Sequence, residues 1–237
     1  MSNRVSDWVS FWDQPHSIYV NERHFDVHYR DIADATIKLA PKPGSRILDY
    51  GCGEAIHADR VAATASSVLL CESSANVRAK LAERFRDEPK IKVLDPDAVA
   101  ALPDASLDFI LANSLAQYLS EAELDRLLAL WRRLLAPGGR LVLGDVIPPG
   151  VGAIDDVSAL LKYAARNGFL TAAFIGLVRT VLSPYGKLRR QLGIASYSEA
   201  AILDRLRAAG YSAERLPFNI EHHPKRMTFQ AHPEVTP

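Results

Sequence analysis

The stretch Leu48–Ala62, LDYGCGEAIHADRVA, places an acidic residue and two glycines between an apolar run and a helix-like pattern. Asp49 ends the apolar run, and Gly51 and Gly53 let the chain turn sharply and bring its backbone close to a ligand. The free N–H groups of a helix that starts at Ile56 would face the same ligand. We therefore interpret this stretch as a strand–turn–helix unit that binds a small molecule.

The turn differs from the fingerprint of a dinucleotide site. That fingerprint has a third glycine near the pyrophosphate, where this chain has the bulky Ile56. Glu72 ends the next apolar run, at the place where such folds bind the ribose hydroxyls with a carboxylate. A ribose site without a pyrophosphate site predicts a nucleoside ligand.

The composition is that of an ordinary globular protein. With 237 residues, 48% of them hydrophobic and 24% charged, we expect a single α/β domain with a sizeable core. Basic and acidic residues balance at 28 each, so the charge predicts neither a nucleic-acid partner nor an anionic membrane surface. The polar N-terminus, the two irregularly spaced cysteines and the short apolar stretches predict a cytoplasmic protein without a membrane span.

Short apolar runs alternate with helical patterns along the chain. The runs have the length of strands buried on both faces, and they occupy residues 45–50, 66–72, 91–95, 107–113 and 139–147. Ser120 with Glu123 predicts a capping box at the start of a helix, and Ser196 with Glu199 predicts a second one. This alternation predicts a parallel, doubly wound sheet whose ligand lies at the carboxyl ends of the strands.

Four segments, in this order, resemble the successive motifs of the class I S-adenosylmethionine-dependent methyltransferases, especially the small-molecule branch. They are ILDYGCGEA, LLCES, LDFILANSLAQYL and LLAPGGRLVLGDVI, and the resemblance covers about residues 44 to 147. It implies a Rossmann-like, doubly wound α/β sheet of seven strands, mostly parallel, with an antiparallel last strand. Residues 211–217 and 226–232 are the candidates for the last, antiparallel pair.

The resemblance also implies a site for S-adenosyl-L-methionine as cofactor. Its residues would be Asp49, Gly51, Cys52 and Gly53 beside the methionine moiety, Glu72 on the ribose hydroxyls, Ser73 beside the adenosine, and Asn113 under the methionine part. An acidic residue after the third strand would accept from the adenine amino group, and both Asp95 and Asp97 qualify. Cys52 departs from the glycine or small polar residue that is commoner in the loop.

Methyl transfer from a sulfonium depends chiefly on alignment in a dry pocket, and a base helps only when the acceptor is a hydroxyl. The candidates for that base are Tyr19, His28, Tyr118 and His223. His24, His28 and Asp31 share one helical face, but no further ligands support a metal ion there, so we expect a solvated or pocket-lining face and no metal. The pair His222-His223 is expected in a hairpin loop.

Two segments are left over by the core motifs. We predict a helical N-terminal cap over residues 1–40, a cofactor-binding core over 41–149, a helical lid insertion over 150–195, and a completion of the sheet over 196–237. The insertion contains the run FLTAAFIGLVRTVL, which is apolar on nearly every side. Such a helix packs in the core, forms a homodimer, or lines an apolar acceptor pocket.

The predicted function is methyl transfer from S-adenosyl-L-methionine to a small, partly apolar molecule. The alternatives are a non-catalytic, methyltransferase-like subunit that binds the nucleoside, a nucleic-acid methyltransferase, and a nicotinamide-dependent oxidoreductase. The Asn-Pro-Pro-aromatic motif of the amino-group nucleic-acid enzymes is absent, since NSLA stands at residues 113–116. The missing third glycine weighs against the oxidoreductase. The methyl acceptor and the methylated atom stay open.

Overall fold

A seven-stranded sheet runs through the part of the chain that the computed structural model describes, residues 19–181 and 194–234. In chain order the strands are β1 (Arg46–Tyr50), β2 (Ser67–Cys71), β3 (Ile91–Leu94), β4 (Leu107–Asn113), β5 (Leu135–Val146), β6 (Tyr211–Arg215) and β7 (Met227–Pro233). Their order in the sheet is β3-β2-β1-β4-β5-β7-β6.

Helices join most of these strands. They are α1 (Glu22–Leu39), α2 (Ala58–Thr64), α3 (Ala75–Arg84), α4 (Pro96–Ala100), α5 (Glu121–Leu134), α6 (Ala153–Asn167), α7 (Leu170–Val181) and α8 (Glu199–Ala208), with a short 3-10 helix at Ala116–Tyr118. Residues 1–18 of the predicted cap, 182–193 of the predicted insertion and 235–237 lie outside the described residues. The division of the chain into four parts stays a prediction.

The strand order confirms the predicted Rossmann-like fold. Strands β1 to β5 are parallel, and β7 runs antiparallel to both β5 and β6. The chain moves outward from β1 to β3 and then returns to β4 on the other side of β1. Such a reversal leaves a crevice at the carboxyl ends of the two central strands. The turn after β1 opens into this crevice.

Strand β4 contributes side chains to an apolar core on each face of the sheet. Its residues alternate between two apolar clusters, because successive side chains of a strand point to opposite faces. Phe109 and Leu111 belong to the cluster with the helices α2 and α3, whereas Ile110 and Ala112 belong to the cluster with Trp131 of α5. All four of these β4 residues are fully buried. The sheet therefore has a core on each face.

Local signals set the start of α5 as predicted. The Ser120 hydroxyl accepts from the backbone N–H of Glu123, and the Glu123 carboxylate accepts from the N–H of Ser120. This is the expected capping box.

Two predicted helix starts are wrong by two residues. α8 begins at Glu199 with Ser198 as its cap, because the N–H of Tyr197 donates to the Ile147 carbonyl and keeps that segment extended. α2 begins at Ala58 and not at Ile56, because His57 is its N-cap and has non-helical backbone angles of φ −111° and ψ 23°.

The helices α6 and α7 pack on α1. Their shared apolar cluster consists of Val27, Tyr163, Ala164, Phe169 and Ala173. On the opposite side of α7, the apolar side chains of Phe174 and Ile175 are 57% and 53% exposed. None of the helices in the described ranges is long and apolar enough to cross a bilayer.

We predict that Ile110→Ala lowers the free energy of unfolding by about 2–5 kcal/mol, because it leaves a cavity between β4 and α5. The matched control is Ile154→Ala, whose side chain is 87% exposed at the start of α6, and its effect should stay within about 0.5 kcal/mol. Urea unfolding of both variants measures the difference. Equal effects would contradict the placement of Ile110 in the core.

Candidate active site

A cavity of about 1230 Å³ opens at the carboxyl ends of β1, β2 and β4. It exceeds the roughly 300–1,000 Å³ of a site for one drug-sized ligand, so it has room for two molecules. The following predicted site residues line it: Tyr19, His28, Asp49, Gly51, Cys52, Gly53, Glu72, Ser73, Asp97, Asn113 and Tyr118. The structure thus brings these residues together, while the role of each stays a prediction.

Asp95 is absent from the lining of this cavity. Its carboxylate accepts from the N–H of Ala98 at 2.8 Å and caps α4. Asp97 stands in the first turn of α4 and faces the cavity. Of the two residues that the sequence leaves open, the geometry favours Asp97 for a ligand contact.

Backbone hydrogen bonds fasten the turn after β1 to the end of β2. The N–H groups of Gly51 and Cys52 donate to the Cys71 carbonyl at 2.8 and 3.1 Å. The Glu72 carboxylate accepts from the N–H of Gly53 at 3.1 Å through Oε2 and from the N–H of Ser74 at 2.9 Å through Oε1. Each carboxylate oxygen keeps a further lone pair for a ligand.

Tyr29 of α1 packs against the same turn. Its hydroxyl accepts from the N–H of Glu54 at 2.9 Å. A Cβ atom at Gly53 would lie 2.5 Å from that hydroxyl oxygen, and Gly53 has a left-handed φ of 56°. Both the contact and the backbone conformation therefore require glycine at this position.

Asp49 has no cationic partner among the residues that the structure describes. Neither Asp49 nor Glu72 forms an ion pair within residues 19–181 and 194–234. Burial, together with the negative charge of Glu72, raises the pKa of Asp49 to about 7. Two neighbouring carboxylates of this kind fit a cationic ligand, because a positive charge would relieve their repulsion.

Glu221 is a cavity residue that the sequence analysis missed. Its Oε1 accepts from Asn113 Nδ2 and from Ser114 Oγ, both at 2.7 Å, and its Oε2 lies 3.8 Å from His28 Nδ1. Glu221 follows β6, and the antiparallel β7 begins at the edge of the sheet where β4 ends. The sequence signal that could have identified Glu221 is an acidic residue in the connection between β6 and β7.

The neighbouring histidines are placed differently. His222 stacks on Tyr163 with 4.6 Å between the ring centroids, and His223 is buried in the connection between β6 and β7. Neither lines the cavity. The predicted loop position is therefore right, but the residue of this loop that reaches the site is Glu221.

A buried charge network lies behind Glu221. Ser114 Oγ lies 2.7 Å from both Glu221 Oε1 and Asp145 Oδ2, yet its single hydrogen can be donated to only one carboxylate at a time. Burial and the charge of Glu221 raise the pKa of Asp145 to about 7, although Arg226 contacts it at 2.5 Å. Burial also acts to raise the pKa of Glu221, but His28, Ser114, His222 and Arg226 together outweigh it and lower that pKa to about 2. Glu221 is therefore charged at neutral pH.

An aromatic wall faces these polar groups. The Tyr19 ring lies 4.9 Å from Phe25, 5.3 Å from His28 and 6.0 Å from Tyr29, measured between ring centroids. Burial raises the pKa of Tyr19 well above its ordinary value, so its hydroxyl stays protonated at neutral pH. Burial likewise raises the pKa of the Cys52 thiol, which argues against a nucleophilic cysteine.

The histidine face of α1 is divided among different contacts. His24 stacks on Phe169 at 5.0 Å, and Asp31 accepts from the Tyr163 hydroxyl at 2.6 Å. Among the residues with described positions, no group of three or more His, Cys, Asp and Glu side chains is arranged to hold a metal ion.

A family model described as a methyltransferase domain matches residues 48–143. An uncharacterized methyltransferase of Geobacillus kaustophilus (strain HTA426) is 29% identical over 126 residues, which are 51% of this chain and 58% of that protein. Nocamycin O-methyltransferase of Saccharothrix syringae is 29% identical over 202 residues, which are 77% of this chain and 65% of that protein. The matched part is thus less than two thirds of either relative's length.

A solved structure, the DhpI–SAH complex, shares the fold. It aligns over 100% of both chains with a TM-score of 0.63 and 16% sequence identity. At this identity the likeness concerns the fold alone.

We predict that Gly53→Ala destabilises the protein more than Gly44→Ala does. Both glycines have a left-handed φ, which costs alanine about 1–2 kcal/mol, but nothing lies within 4 Å of a Cβ at Gly44. At Gly53 the new methyl group must also displace the Tyr29 hydroxyl.

A double-mutant cycle isolates this contact. Adding Tyr29→Phe to Gly53→Ala removes the clashing oxygen, so the two changes should be less than additive by about 1 kcal/mol in chemical unfolding. Additive effects would show that the contact between Tyr29 and the turn does not require the glycine.

Proposed function

We propose that the chain is a class I S-adenosylmethionine-dependent methyltransferase and that it transfers the methyl group of S-adenosyl-L-methionine to a small, partly apolar molecule. The observation that carries the proposal is the pair Asp49 and Glu72, two carboxylates at the ends of β1 and β2 that face a large cavity with no ion-pair partner among the described residues. The sulfonium and the amino group of the cofactor both carry the positive charge that such a pair favours.

The residues present fit this cofactor. Glu72, already oriented by two backbone N–H groups, would accept from the ribose hydroxyls with its remaining lone pairs. Asp97 would accept from the adenine amino group. Asp49 would face the ammonium group of the amino acid part, beside the glycines of the turn and Asn113.

When bound, S-adenosyl-L-methionine would supply an electrophilic methyl group. The electron pair of the methyl–sulfur bond would go to sulfur and neutralise the sulfonium. The chain's own contribution is to align the acceptor and exclude water, which can lower the barrier by several kcal/mol. The rings of Tyr19, Phe25 and Tyr29 form an aromatic side of the cavity, which helps to exclude water.

A small acceptor is supported by the size of the cavity and by one relative. About 1230 Å³ suits a nucleoside together with a second small molecule, and one relative is named for O-methylation of nocamycin. The balanced charge of the chain gives no support to a nucleic-acid acceptor. We also propose that the protein is cytoplasmic and that it forms a homodimer through the exposed apolar side of α7, at Phe174 and Ile175.

We predict that the protein binds S-adenosyl-L-methionine in titration calorimetry and does not bind NAD, and that Glu72→Gln weakens the binding at least tenfold. A charge-assisted hydrogen bond contributes about 1.5–3 kcal/mol, and about 1.4 kcal/mol corresponds to a tenfold change in Kd.

The matched control is Glu88→Gln, which changes an exposed carboxylate outside the cavity and should leave the Kd unchanged. An unchanged Kd in Glu72→Gln, with the fold verified by thermal unfolding, would move the ribose site elsewhere. Binding without release of the demethylated product over a broad acceptor panel would favour the non-catalytic subunit.

We predict that the affinity for S-adenosyl-L-methionine falls about tenfold or more between pH 7.5 and pH 5.5. Free Asp49 has a pKa raised to about 7, and a bound cation lowers that pKa, so binding releases a proton and is favoured as pH rises through 7. Calorimetry at pH 6.5 in two buffers of different ionisation enthalpy measures the released proton directly.

The variant Asp49→Asn should bind more weakly at pH 7.5 and lose this pH dependence. Asp59→Asn, at an exposed position of α2, should keep it. The same pH dependence in wild type and Asp49→Asn would assign the titration to another group.

A further inference from the structure

His28 and Glu221 meet at one side of the cavity although they come from opposite ends of the chain. His28 lies on α1 and Glu221 in the connection between β6 and β7, and both line the cavity. Their facing atoms, His28 Nδ1 and Glu221 Oε2, are 3.8 Å apart, and their side chains are only 15% and 10% exposed. The pair is thus nearly removed from solvent but open to a ligand in the cavity.

Hydrogen bonds hold Glu221 in a definite orientation beside His28. Oε1 of Glu221 accepts from Asn113 and Ser114, which leaves Oε2 to face the imidazole. With Nδ1 of His28 turned towards this carboxylate, Nε2 makes no hydrogen bond within residues 19–181 and 194–234. A carboxylate at this distance from one ring nitrogen favours the ring orientation that faces it and stabilises the positive charge that forms when the other nitrogen takes a proton.

We propose that the methyl acceptor carries a phenolic or enolic hydroxyl and that Glu221 positions His28 as the base that takes the proton of this hydroxyl. The inference rests on the proposed function and deepens it, because it names the acceptor class and a residue for the same site. An amine or a carboxylate acceptor needs no such base.

The lining of the cavity supports an aromatic or planar acceptor. The rings of Tyr19, Phe25 and Tyr29 stand beside His28, and such rings pack well against another planar group. A phenolic hydroxyl has an ordinary pKa near 10, within reach of an imidazole base, whereas an aliphatic alcohol is far less acidic.

The step balances in atoms and charge. A lone pair of the acceptor oxygen forms the new O–C bond as the methyl–sulfur bond breaks and its electron pair goes to sulfur. The proton of the hydroxyl passes to Nε2 of His28. The positive charge of the sulfonium thus ends on the imidazolium of His28, beside Glu221. His28 returns the proton to solvent when the products leave.

The other candidates serve this step less well. Tyr19 keeps its proton at neutral pH because burial raises its pKa, and His223 does not line the cavity. Tyr118 also lines the cavity, but an imidazole is the better general base near neutral pH. The titratable groups that face His28 from its own helix and the surrounding elements are Tyr19, His24, Tyr29, Glu221 and His222.

The first experiment compares matched acceptors. Purified protein is incubated with S-adenosyl-L-methionine and either catechol or 2-naphthol, or with the amines o-phenylenediamine or 2-naphthylamine, and methylated products are identified by mass spectrometry. We expect O-methylation in the hydroxyl series and none in the amine series. Turnover of the amines alone, or of neither series by a protein that binds the cofactor, would overturn the hydroxyl assignment. A protein that binds no S-adenosyl-L-methionine would instead overturn the proposed function.

The second experiment tests the two residues. Glu221→Gln keeps an amide oxygen for Asn113 and Ser114, and it replaces the charged acceptor that faces His28 Nδ1 with a neutral N–H donor. We expect His28→Asn and His28→Gln to lower kcat at least 100-fold, and Glu221→Gln to lower it about tenfold, with KM and the Kd for S-adenosylhomocysteine within about twofold of wild type. Glu221→Asp should recover part of the loss.

The pH profile separates a positioning role from a structural one. In wild type kcat should fall as pH is lowered, because a protonated imidazole cannot take the proton, and this fall should vanish in His28→Asn. Asp125→Asn, which alters an exposed ion pair with Arg205, is the matched control and should behave as wild type. An unchanged kcat in the His28 variants, or a loss in Glu221→Gln that appears only as weaker cofactor binding or lower thermal stability, would overturn the proposal.

Discussion

The site depends on the way the end of β2 holds the turn after β1. The Cys71 carbonyl takes the N–H groups of Gly51 and Cys52, and the Glu72 carboxylate takes that of Gly53. These bonds keep the glycine turn open over the cavity and pre-orient Glu72 before any ligand arrives. Tyr29 then closes the other side of the turn. A ligand therefore meets groups already in place, which lowers the cost of ordering on binding.

Much of the fold could be predicted because its signals are local. The apolar run of β4 and the capping box at Ser120 need only neighbouring residues, and both are confirmed. The start of α8 could not be predicted in the same way. It is set by the hydrogen bond from Tyr197 to Ile147, a partner 50 positions away in the sequence, and a serine pattern cannot reveal such a contact.

The residues of the candidate site also differ in whether local sequence signals predict their positions. Asp49 and Glu72 directly follow apolar runs, so their place at the edge of the sheet follows from the pattern. The choice between Asp95 and Asp97 needed the geometry of α4, whose first turn uses Asp95 as its cap. Glu221 was missed because its position depends on how the last two strands pair, and sequence alone predicts such distant pairing poorly.

The two halves of the cavity differ in the length of chain that builds them. The turn after β1 and the end of β2 lie within 27 residues, Leu48 to Ser74, whereas the hydrogen bond from Asn113 to Glu221 joins residues 108 positions apart. During synthesis the side of the cavity formed by the turn after β1 can form early, whereas the side that contains Glu221 must wait for the last hairpin. Substitutions in the connection between β6 and β7 can therefore change one side of the cavity during evolution without altering the turn after β1.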